Sequence, residues 1–338
     1  MTYRSSSIRL FALVATVLAL SAPAAAQTDG AFTVNKSSRD DRLNLNLQYG
    51  NGRSNYGRSF ARSDFTDVNQ SGDRVTFRLQ RAPGIFSFEG RGSMERASGW
   101  FVFAPNPDFS REMERIGFRD LDERALFVFA LDDLTVAKVK QLQGLVSNGL
   151  DTSELIRLIN HGAGLTHIQA LSDLGFRKLT SDEYRRARDH GVSVTFVREM
   201  AELGVKIPLD GLIRMRDHGV TPEFVRGMRD AGHDVSHEEL VRARDHGVSP
   251  DFVRRMGDLG YKGLSLGEYV RFRDHGVTPD YVEALRNAGL TKITASELVR
   301  LRDHGVSASY VRRVRERFKE MPSVEEIIRL RSRGLLDR

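Results

Sequence analysis

The first part of the chain alternates apolar and polar residues in the way that is typical of β-strands. Between residues 43 and 49, leucine or tyrosine occupies every second position, with Asn or Gln between them. Residues 75–79 alternate in the same way, and the apolar runs at 85–89 and 100–103 each follow a turn that contains glycine. One buried face per strand accounts for a period of two. We predict an antiparallel sheet of four or five strands within residues 27–105.

Residues 50–72 interrupt this pattern and are rich in Gly, Ser, Asn and Arg. Three aromatic residues lie among them, Tyr56, Phe60 and Phe65. Aromatic side chains among basic ones can indicate binding of nucleic acid or glycan, but a long loop whose aromatics pack beneath the sheet is the commoner case, and we favour it. A sheet this small needs a covering element, and the helix that follows it is the candidate.

From residue 106 the chain repeats itself with a period of 28 or 29 residues. The period is measured between residues expected to cap the start of a helix, and it lies in the range of two-helix solenoid units. Eight such repeats fill residues 106–338. The capping residues are Asn106, Thr135, Gly164, Ser193, Thr221, Ser249, Thr278 and Ser307.

Each repeat encodes a first helix with clear start and stop signals. In the repeat that begins at Thr221, the cap is followed by Pro222 and Glu223, which suit the first turn of a helix. Apolar residues recur three, four and seven positions after the cap and form one buried stripe. A glycine eleven residues after the cap is expected to end the helix in the left-handed conformation. These glycines include Gly204, Gly232, Gly260 and Gly289.

The second helix of each repeat ends in a recurring Asp-His-Gly-Val sequence, as at residues 239–248. The glycine lies just beyond the helix, and the valine after it is placed to contact the last turn, as Val220 would contact Met215. This is the hydrophobic contact of a Schellman ending. The fold class that we predict is α+β, with a small antiparallel sheet domain at 27–105 and an α-helical solenoid of about eight two-helix repeats at 106–338.

The histidines of the Asp-His pairs could serve as metal ligands or catalytic bases. Equivalent residues of successive repeats should lie on the order of 10 Å apart because packed helices separate them. Two imidazoles on one zinc ion must each reach within about 2.1 Å of the metal. We therefore interpret the histidines as cap residues at the negative end of the helix dipole. They are His190, His218, His246, His275 and His304.

The aspartates that precede these histidines need a different explanation, because the helix dipole repels a carboxylate in the last turn. We hypothesise that they form a ladder with arginine side chains or backbone N–H groups of adjacent repeats. Arginines four residues before each histidine are candidates for this ladder or for binding a partner. The aspartates are Asp189, Asp217, Asp245, Asp274 and Asp303, and the arginines are Arg186, Arg214, Arg242, Arg271 and Arg300.

Residues 1–26 have the pattern of a signal peptide. Two arginines precede an apolar stretch at 10–20, and three alanines at 24–26 offer a cleavage site. An uncleaved membrane anchor is the alternative, but the apolar stretch is about half of the roughly 20 residues that a spanning helix needs. We expect a periplasmic or secreted chain that begins near Gln27 and does not insert into the membrane. The absence of cysteine excludes disulfides and cysteine-type zinc sites.

The distribution of charge argues against nucleic acid as a partner. Residues 31–105 hold 11 basic and 7 acidic side chains, and residues 106–338 hold 38 and 37. A nucleic-acid groove needs clustered, uncompensated lysine and arginine. The sequence also lacks a phosphate-binding glycine loop, a Gly-x-Ser-x-Gly elbow and a His-Glu-x-x-His motif. We therefore expect no enzyme activity, no cofactor and no metal.

Several motifs resemble those of a group of exported bacterial proteins that combine a small β-domain with two-helix repeats. The β-domain pattern is carried here by residues 77–79, 86–91 and 101–107, and the repeat pattern His-Gly-Val-Thr-Pro-x-Phe-Val by residues 218–225. Similar repeats occur with membrane zinc-peptidase sensors of the β-lactamase-inducer type. The resemblance implies a sensing or partner-binding role, although this chain has neither the peptidase motif nor the membrane helices of those sensors.

The function expected from the sequence is that of a non-enzymatic interaction protein. It would bind a protein or peptide on its helical repeat surface, in envelope sensing or regulation. The alternative is a cell-envelope structural or stress protein that binds glycan or polyanion through the basic β-domain. The sequence leaves the oligomeric state open.

Overall fold

The computed structural model describes residues 28–38, 40–49, 54–119 and 121–336. A seven-stranded sheet comes first in these residues and a series of helices follows it, which confirms the α+β class. The predicted signal peptide lies outside the described residues and stays a prediction.

All strand pairs of the sheet are antiparallel, and the strand order is β3-β2-β1-β7-β6-β5-β4. The register places apolar residues of neighbouring strands on one face, since Val34 lies opposite both Leu45 and Ala97. A single 3₁₀ turn at residues 62–64 connects the two edge strands, so the sheet curls strongly around this face. The strands are β1 Thr28–Lys36, β2 Arg42–Tyr49, β3 Ser54–Ala61, β4 Phe65–Ser71, β5 Arg74–Arg81, β6 Gly84–Ser93 and β7 Arg96–Pro105.

Seven strands exceed the four or five that the sequence predicts. Residues 50–72, expected to form a long loop, contain β3 and β4. These are the edge strands of the sheet, and each pairs with a neighbour on one side only. Their alternation of apolar and polar residues is weak, so the sequence pattern does not predict them as strands. Phe60 and Phe65 are buried as expected, but they extend from strands and not from a loop.

Sixteen helices follow the sheet within the described residues and form eight consecutive pairs. Each odd-numbered helix starts directly after its predicted capping residue. At Ser193 and Thr221 the side-chain oxygen accepts a hydrogen bond from the backbone N–H three residues later. The number and register of the repeats are therefore confirmed. The helices are α1 Pro107–Arg115, α2 Glu123–Leu131, α3 Val136–Leu145, α4 Thr152–Asn160, α5 Leu165–Asp173, α6 Ser181–Asp189, α7 Val194–Glu202, α8 Leu209–Asp217, α9 Pro222–Asp230, α10 His237–Asp245, α11 Pro250–Met256, α12 Leu266–Asp274, α13 Pro279–Asn287, α14 Ala295–Asp303, α15 Ala308–Arg317 and α16 Val324–Ser332.

Phenylalanine side chains fill the interior of the curled sheet. The ring of Phe32 lies edge-on to that of Phe77, with centroids 5.5 Å apart. Helix α2 adds Phe127, which is fully buried and lies 5.1 Å from the ring of Phe86. The cover that the sheet requires is thus supplied by α2, the second helix after the sheet, whereas the sequence interpretation names the helix that follows the sheet directly.

The even-numbered helices end in the predicted Schellman geometry. The N–H of Val220 donates to the carbonyl of Met215 at 2.8 Å, and the N–H of Gly219 donates to the carbonyl of Arg216 at 3.1 Å. Gly219 has a φ of 68°, a left-handed conformation that favours glycine. The predicted stops of the odd-numbered helices also have positive φ: Gly204, Gly232, Gly260 and Gly289.

The described chain divides into two compact units. One comprises residues up to 140 with 151–156 and holds the sheet, α1 and α2; the other comprises 141–150 and the residues from 157 onward. Within the second unit, α10 contacts α8 and α12, and α9 contacts α7 and α11. Even-numbered helices therefore form one layer and odd-numbered helices the other, as in an α-solenoid. The predicted domain boundary between residues 105 and 106 stays a prediction.

Candidate binding surface

The residues singled out by the sequence lie along the outer side of helices α6, α8, α10, α12 and α14. In each of these helices the fourth and seventh residues are buried, the sixth is an arginine, the ninth an aspartate, and the residue after the helix a histidine. Helical spacing places the second, sixth and ninth residues on the side opposite the buried stripe. We call the second, sixth and ninth residues, together with the histidines, the outer row.

The histidines and aspartates of the outer row are paired between repeats. Nδ1 of His190 lies 2.8 Å from Oδ1 of Asp217, and His304, at the end of the series, faces the Ser332 hydroxyl at 3.4 Å. Each histidine is the C-cap residue of its helix, as interpreted from the sequence. We call these contacts the His–Asp ladder, and its pairs are His161–Asp189, His190–Asp217, His218–Asp245, His246–Asp274 and His275–Asp303.

The ladder accounts for the aspartates with a partner that the sequence hypothesis does not name. The hypothesis expects an arginine or a backbone N–H of an adjacent repeat, whereas the adjacent repeat supplies an imidazole. An ionised carboxylate only accepts hydrogen bonds, so Nδ1 carries the proton in each pair. Asp189 also pairs with an arginine, but it is Arg185 of its own helix, at 2.9 Å. His190 and Asp217 are each 42% exposed, and exposed pairs of this kind contribute at most about 1 kcal/mol each.

A second set of contacts lies one residue before the aspartates. From α8 onward the eighth residue of each even-numbered helix is an arginine that stacks over an aromatic ring of the preceding odd-numbered helix. The guanidinium of Arg216, for example, lies 5.5 Å from the ring centroid of Phe196. Its Nε would lie 3.3 Å from a Cβ placed on Gly191, which ends the previous even-numbered helix with a φ of 70°. Glycine here therefore suits the left-handed backbone and leaves room for the close approach of the arginine.

The arginines at the sixth position of the even-numbered helices face the second residue of the next even-numbered helix. Nη2 of Arg186 lies 3.2 Å from Oδ1 of Asp210. Arg300 donates a hydrogen bond to Glu325, and this bond lowers the pKa of the Glu325 carboxyl. We call such a contact an Arg–acid rung, and it joins adjacent repeats on the outer row.

The rungs are not continuous. Glu238 occupies the second position opposite Arg214; its pKa is lowered first by a backbone hydrogen bond and more weakly by the charge of that arginine. Arg242 and Arg271 are exposed and form no ion pair or side-chain hydrogen bond with any residue that the structure describes. The second residues of the helices that follow them are not acidic. These residues are Gly267 and Ser296.

The outer face of the curled sheet carries a different surface. Trp100, the only tryptophan of the chain, is 68% exposed and lines a groove of about 1240 Å³. The arginines of this groove are each paired with a carboxylate, at 2.7, 3.2 and 3.5 Å. The pairs are Arg74–Glu89, Arg78–Asp67 and Arg91–Asp73.

Sequence reasoning did not find the second-position acids or Trp100 as surface features. Asp210, Glu238 and Glu325 each lie four residues before an arginine of the same helix, and this spacing invites an intrahelical reading. Their inter-repeat contacts depend on how neighbouring helices are offset. Trp100 could have been found by parity, because it alternates with the buried residues Phe101 and Phe103 on the same strand.

The outer row presents imidazole, guanidinium and carboxylate groups at regular intervals along a stack of helices. These groups suit hydrogen bonding and ion pairing with a polar surface. Within the residues that the structure describes, no cluster of three or more His, Asp or Glu side chains could hold a metal ion. None of the helices in that part of the chain has the length and apolar content needed to cross a membrane.

The fold and this surface define an α+β protein that joins an antiparallel sheet to an α-solenoid. No protein-family model, curated protein or solved structure matches the chain. The functional argument therefore rests on the geometry of the chain itself.

Proposed function

We propose that this chain is an exported, non-enzymatic interaction protein that binds a protein or peptide partner on the outer row of its helical repeats, in envelope sensing or regulation. The observation that carries the proposal is the regular outer row, in which side chains of successive repeats hold one another in place. Helical stacks provide extended binding surfaces of this kind as a consequence of their geometry.

The ladder supports a binding role because it fixes side chains that remain accessible. His218 and Asp245 are 39% and 42% exposed although they hydrogen-bond to each other. Side chains that are already ordered lose less conformational entropy when a partner binds. A row of five such pairs therefore favours recognition over a purely structural role, for which burial would contribute more.

A second candidate function is binding of a glycan on the outer face of the sheet. Trp100 favours it, because an exposed indole ring offers an apolar platform whose rim can still hydrogen-bond. The paired arginines of the same groove argue against a polyanion, since their charge is already compensated. A neutral glycan is thus the form of this candidate that the groove favours.

Affinity capture with three versions of the full chain distinguishes the two candidates. The baits are the unmodified chain, the chain with Arg186→Glu and Arg214→Glu on the outer row, and the chain with Trp100→Ala. We expect a polypeptide from an envelope extract to be retained by the first and third baits and lost with the second. Thermal unfolding of each bait, followed by circular dichroism, checks that the substitutions leave the fold intact.

Loss of the retained component with Trp100→Ala, together with its retention by the charge-reversed outer row, would overturn the proposal in favour of the glycan candidate. Failure of all three folded baits to retain any polypeptide would overturn it outright.

A further inference from the structure

The interrupted Arg–acid rungs carry an inference about what the outer row binds, and it rests on the proposed function. We propose that Arg242 and Arg271 form a binding site for an acidic polypeptide segment that supplies the two carboxylates missing from positions 267 and 296. The site lies at two consecutive repeats. On one side Glu238 faces Arg214 without an ion pair, and on the other side the rung between Arg300 and Glu325 is complete.

The complete rungs define the ligand chemistry. Arg186 and Arg300 occupy the same helical position as the two unpaired arginines, and each contacts a carboxylate of the next repeat, on Asp210 and Glu325. A guanidinium presents its N–H groups in a fixed planar fork that matches a carboxylate. Where the next repeat has glycine or serine, the arginine is retained and its partner is absent.

The carboxylates of α10 itself do not form an ion pair with Arg242. Asp245, one turn further on, accepts from His218 in the His–Asp ladder. Glu239, one turn earlier, closes the capping box with Ser236 at the start of α10. Glu238, four residues before Arg242, lies 3.0 Å from Nε2 of His237. All three carboxylates therefore have other contacts.

The same holds for Arg271 in α12. Asp274 accepts from His246, and Glu268 closes the capping box with Ser265. The two guanidinium groups are therefore left to external acceptors, although carboxylates lie on their own helices.

The spacing of the two arginines limits the form of the ligand. Equivalent positions on packed neighbouring helices lie about 8–10 Å apart. Two acidic residues three positions apart on a polyproline II segment lie on the same face and about 9 Å apart, since this extended conformation has three residues per turn and rises about 3.1 Å per residue. An extended peptide with the pattern acid-x-x-acid therefore matches one carboxylate to each arginine.

Fluorescence anisotropy with a labelled Ser-Glu-Ser-Ser-Glu-Ser peptide tests the site on the full chain. We expect Arg242→Gln with Arg271→Gln to weaken binding about tenfold, as the loss of two exposed ion pairs implies. Gly267→Glu with Ser296→Glu should weaken binding to a similar extent, because it completes the rungs within the chain and keeps both arginines. A control peptide with Gln in place of both Glu residues should bind the unmodified chain no more tightly than it binds the variant with Arg242→Gln and Arg271→Gln.

The matched control is Arg186→Gln with Arg300→Gln, which removes the same number of charges from complete rungs. It should leave peptide affinity within about twofold. The inference is wrong if this control weakens binding as much as the variants at 242 and 271, because the effect would then be general attraction. It is equally wrong if the unmodified chain does not prefer the Glu peptide to the Gln peptide.

A heparin oligosaccharide serves as a second probe. Heparin binding that requires Arg242 and Arg271, without binding of the Glu peptide, would overturn the assignment to a polypeptide. The baits described for the proposed function keep both arginines, so their failure and the failure of this inference are separate results.

Discussion

The core of the sheet and the contacts of the helical repeats differ in how far along the chain their partners lie. Phe127 of α2 packs against rings from strands β6 and β7, and Phe32 of β1 packs against Phe77 of β5. The His–Asp contacts of the repeats, by contrast, join residues 27 or 28 positions apart, and they recur with the same geometry from one repeat to the next. A substitution in the sheet core should therefore destabilise the whole sheet, whereas one in the repeats should act mainly on neighbouring units.

The largest effect is expected from Phe127→Ala. Removing a fully buried ring at the centre of an aromatic cluster should cost about 3–5 kcal/mol, because the surrounding rings cannot close the cavity. Urea unfolding followed by circular dichroism measures the loss, and hydrogen exchange of β6 and β7 assigns it to the sheet. Val68→Ala, at a half-exposed position of β4, is the control and should change stability by less than about 0.5 kcal/mol. A loss below about 1 kcal/mol for Phe127→Ala would contradict the role of this ring.

Gly247→Ala tests whether the repeats respond locally. Gly247 has a φ of 71°, and a Cβ there would lie 3.0 Å from Nη2 of Arg273. The left-handed backbone alone should cost about 1–2 kcal/mol, and displacement of the guanidinium should add to it. Hydrogen exchange should accelerate in α10 to α13 and remain unchanged in α6 and α16.

The matched control for this substitution is Gly204→Ala, which has the same φ of 71° and no neighbour within 4 Å of its Cβ. It should cost less than Gly247→Ala, and the difference measures the close approach of the arginine. Equal costs at the two glycines, or faster exchange throughout the stack, would contradict local coupling through this contact.

A smaller, pH-dependent effect is expected at His167, which occupies in α5 the position of the aromatic ring in later repeats. Burial, followed by the charge of Arg188, lowers the pKa of His167 below its ordinary value of 6.5. The folded chain keeps the imidazole neutral while the unfolded chain takes up a proton, so stability is lost as the pH falls below about 6.5. The loss is at most about 1.4 kcal/mol per pH unit.

His167→Phe restores the aromatic residue of the repeat beneath Arg188. Urea midpoints at pH 7.5 and pH 5.5 should differ less for this variant than for the unmodified chain. Carboxylates contribute little to the comparison because their ordinary pKa values lie below this range. An identical pH dependence in the two proteins would show that His167 is not the group responsible.

The smallest effect is expected for a single pair of the His–Asp ladder. A double-mutant cycle with His218→Ala and Asp245→Ala should give a coupling of about 0.2–1 kcal/mol, since both side chains are partly exposed. Asp245→Asn alone should lower stability by a similar amount. No measurable loss from Asp245→Asn would mean that the ladder does not stabilise the repeats.

The repeats were easier to predict than the sheet because each repeat contains the same local signals for the start and the end of its helices. Capping residues such as Ser193 and terminators such as Gly219 act within one turn of helix, so sequence spacing is enough to place them. Edge strands β3 and β4 were missed because their few apolar residues reflect the position of the strand in the sheet, which local sequence does not encode.

The binding surface was predicted only in part, for a related reason. The recurring Asp and His were visible in the sequence, but the partner of Asp217 depends on the offset between neighbouring helices, which brings His190 within 2.8 Å. The missing carboxylate partners of Arg242 and Arg271 could not be recognised from the sequence alone. The complete rungs first show that such a partner lies at the second position of the next even-numbered helix.

Photo-crosslinking in the expressing cell tests most directly whether the repeats, and not the sheet, bind the partner. A p-benzoylphenylalanine is placed in the full chain either at Ser296, on the outer row, or at Val102, beside Trp100 on the sheet. The account predicts a polypeptide adduct from position 296 and none from position 102. Adducts from position 102 alone, or no polypeptide adduct from position 296, would contradict it.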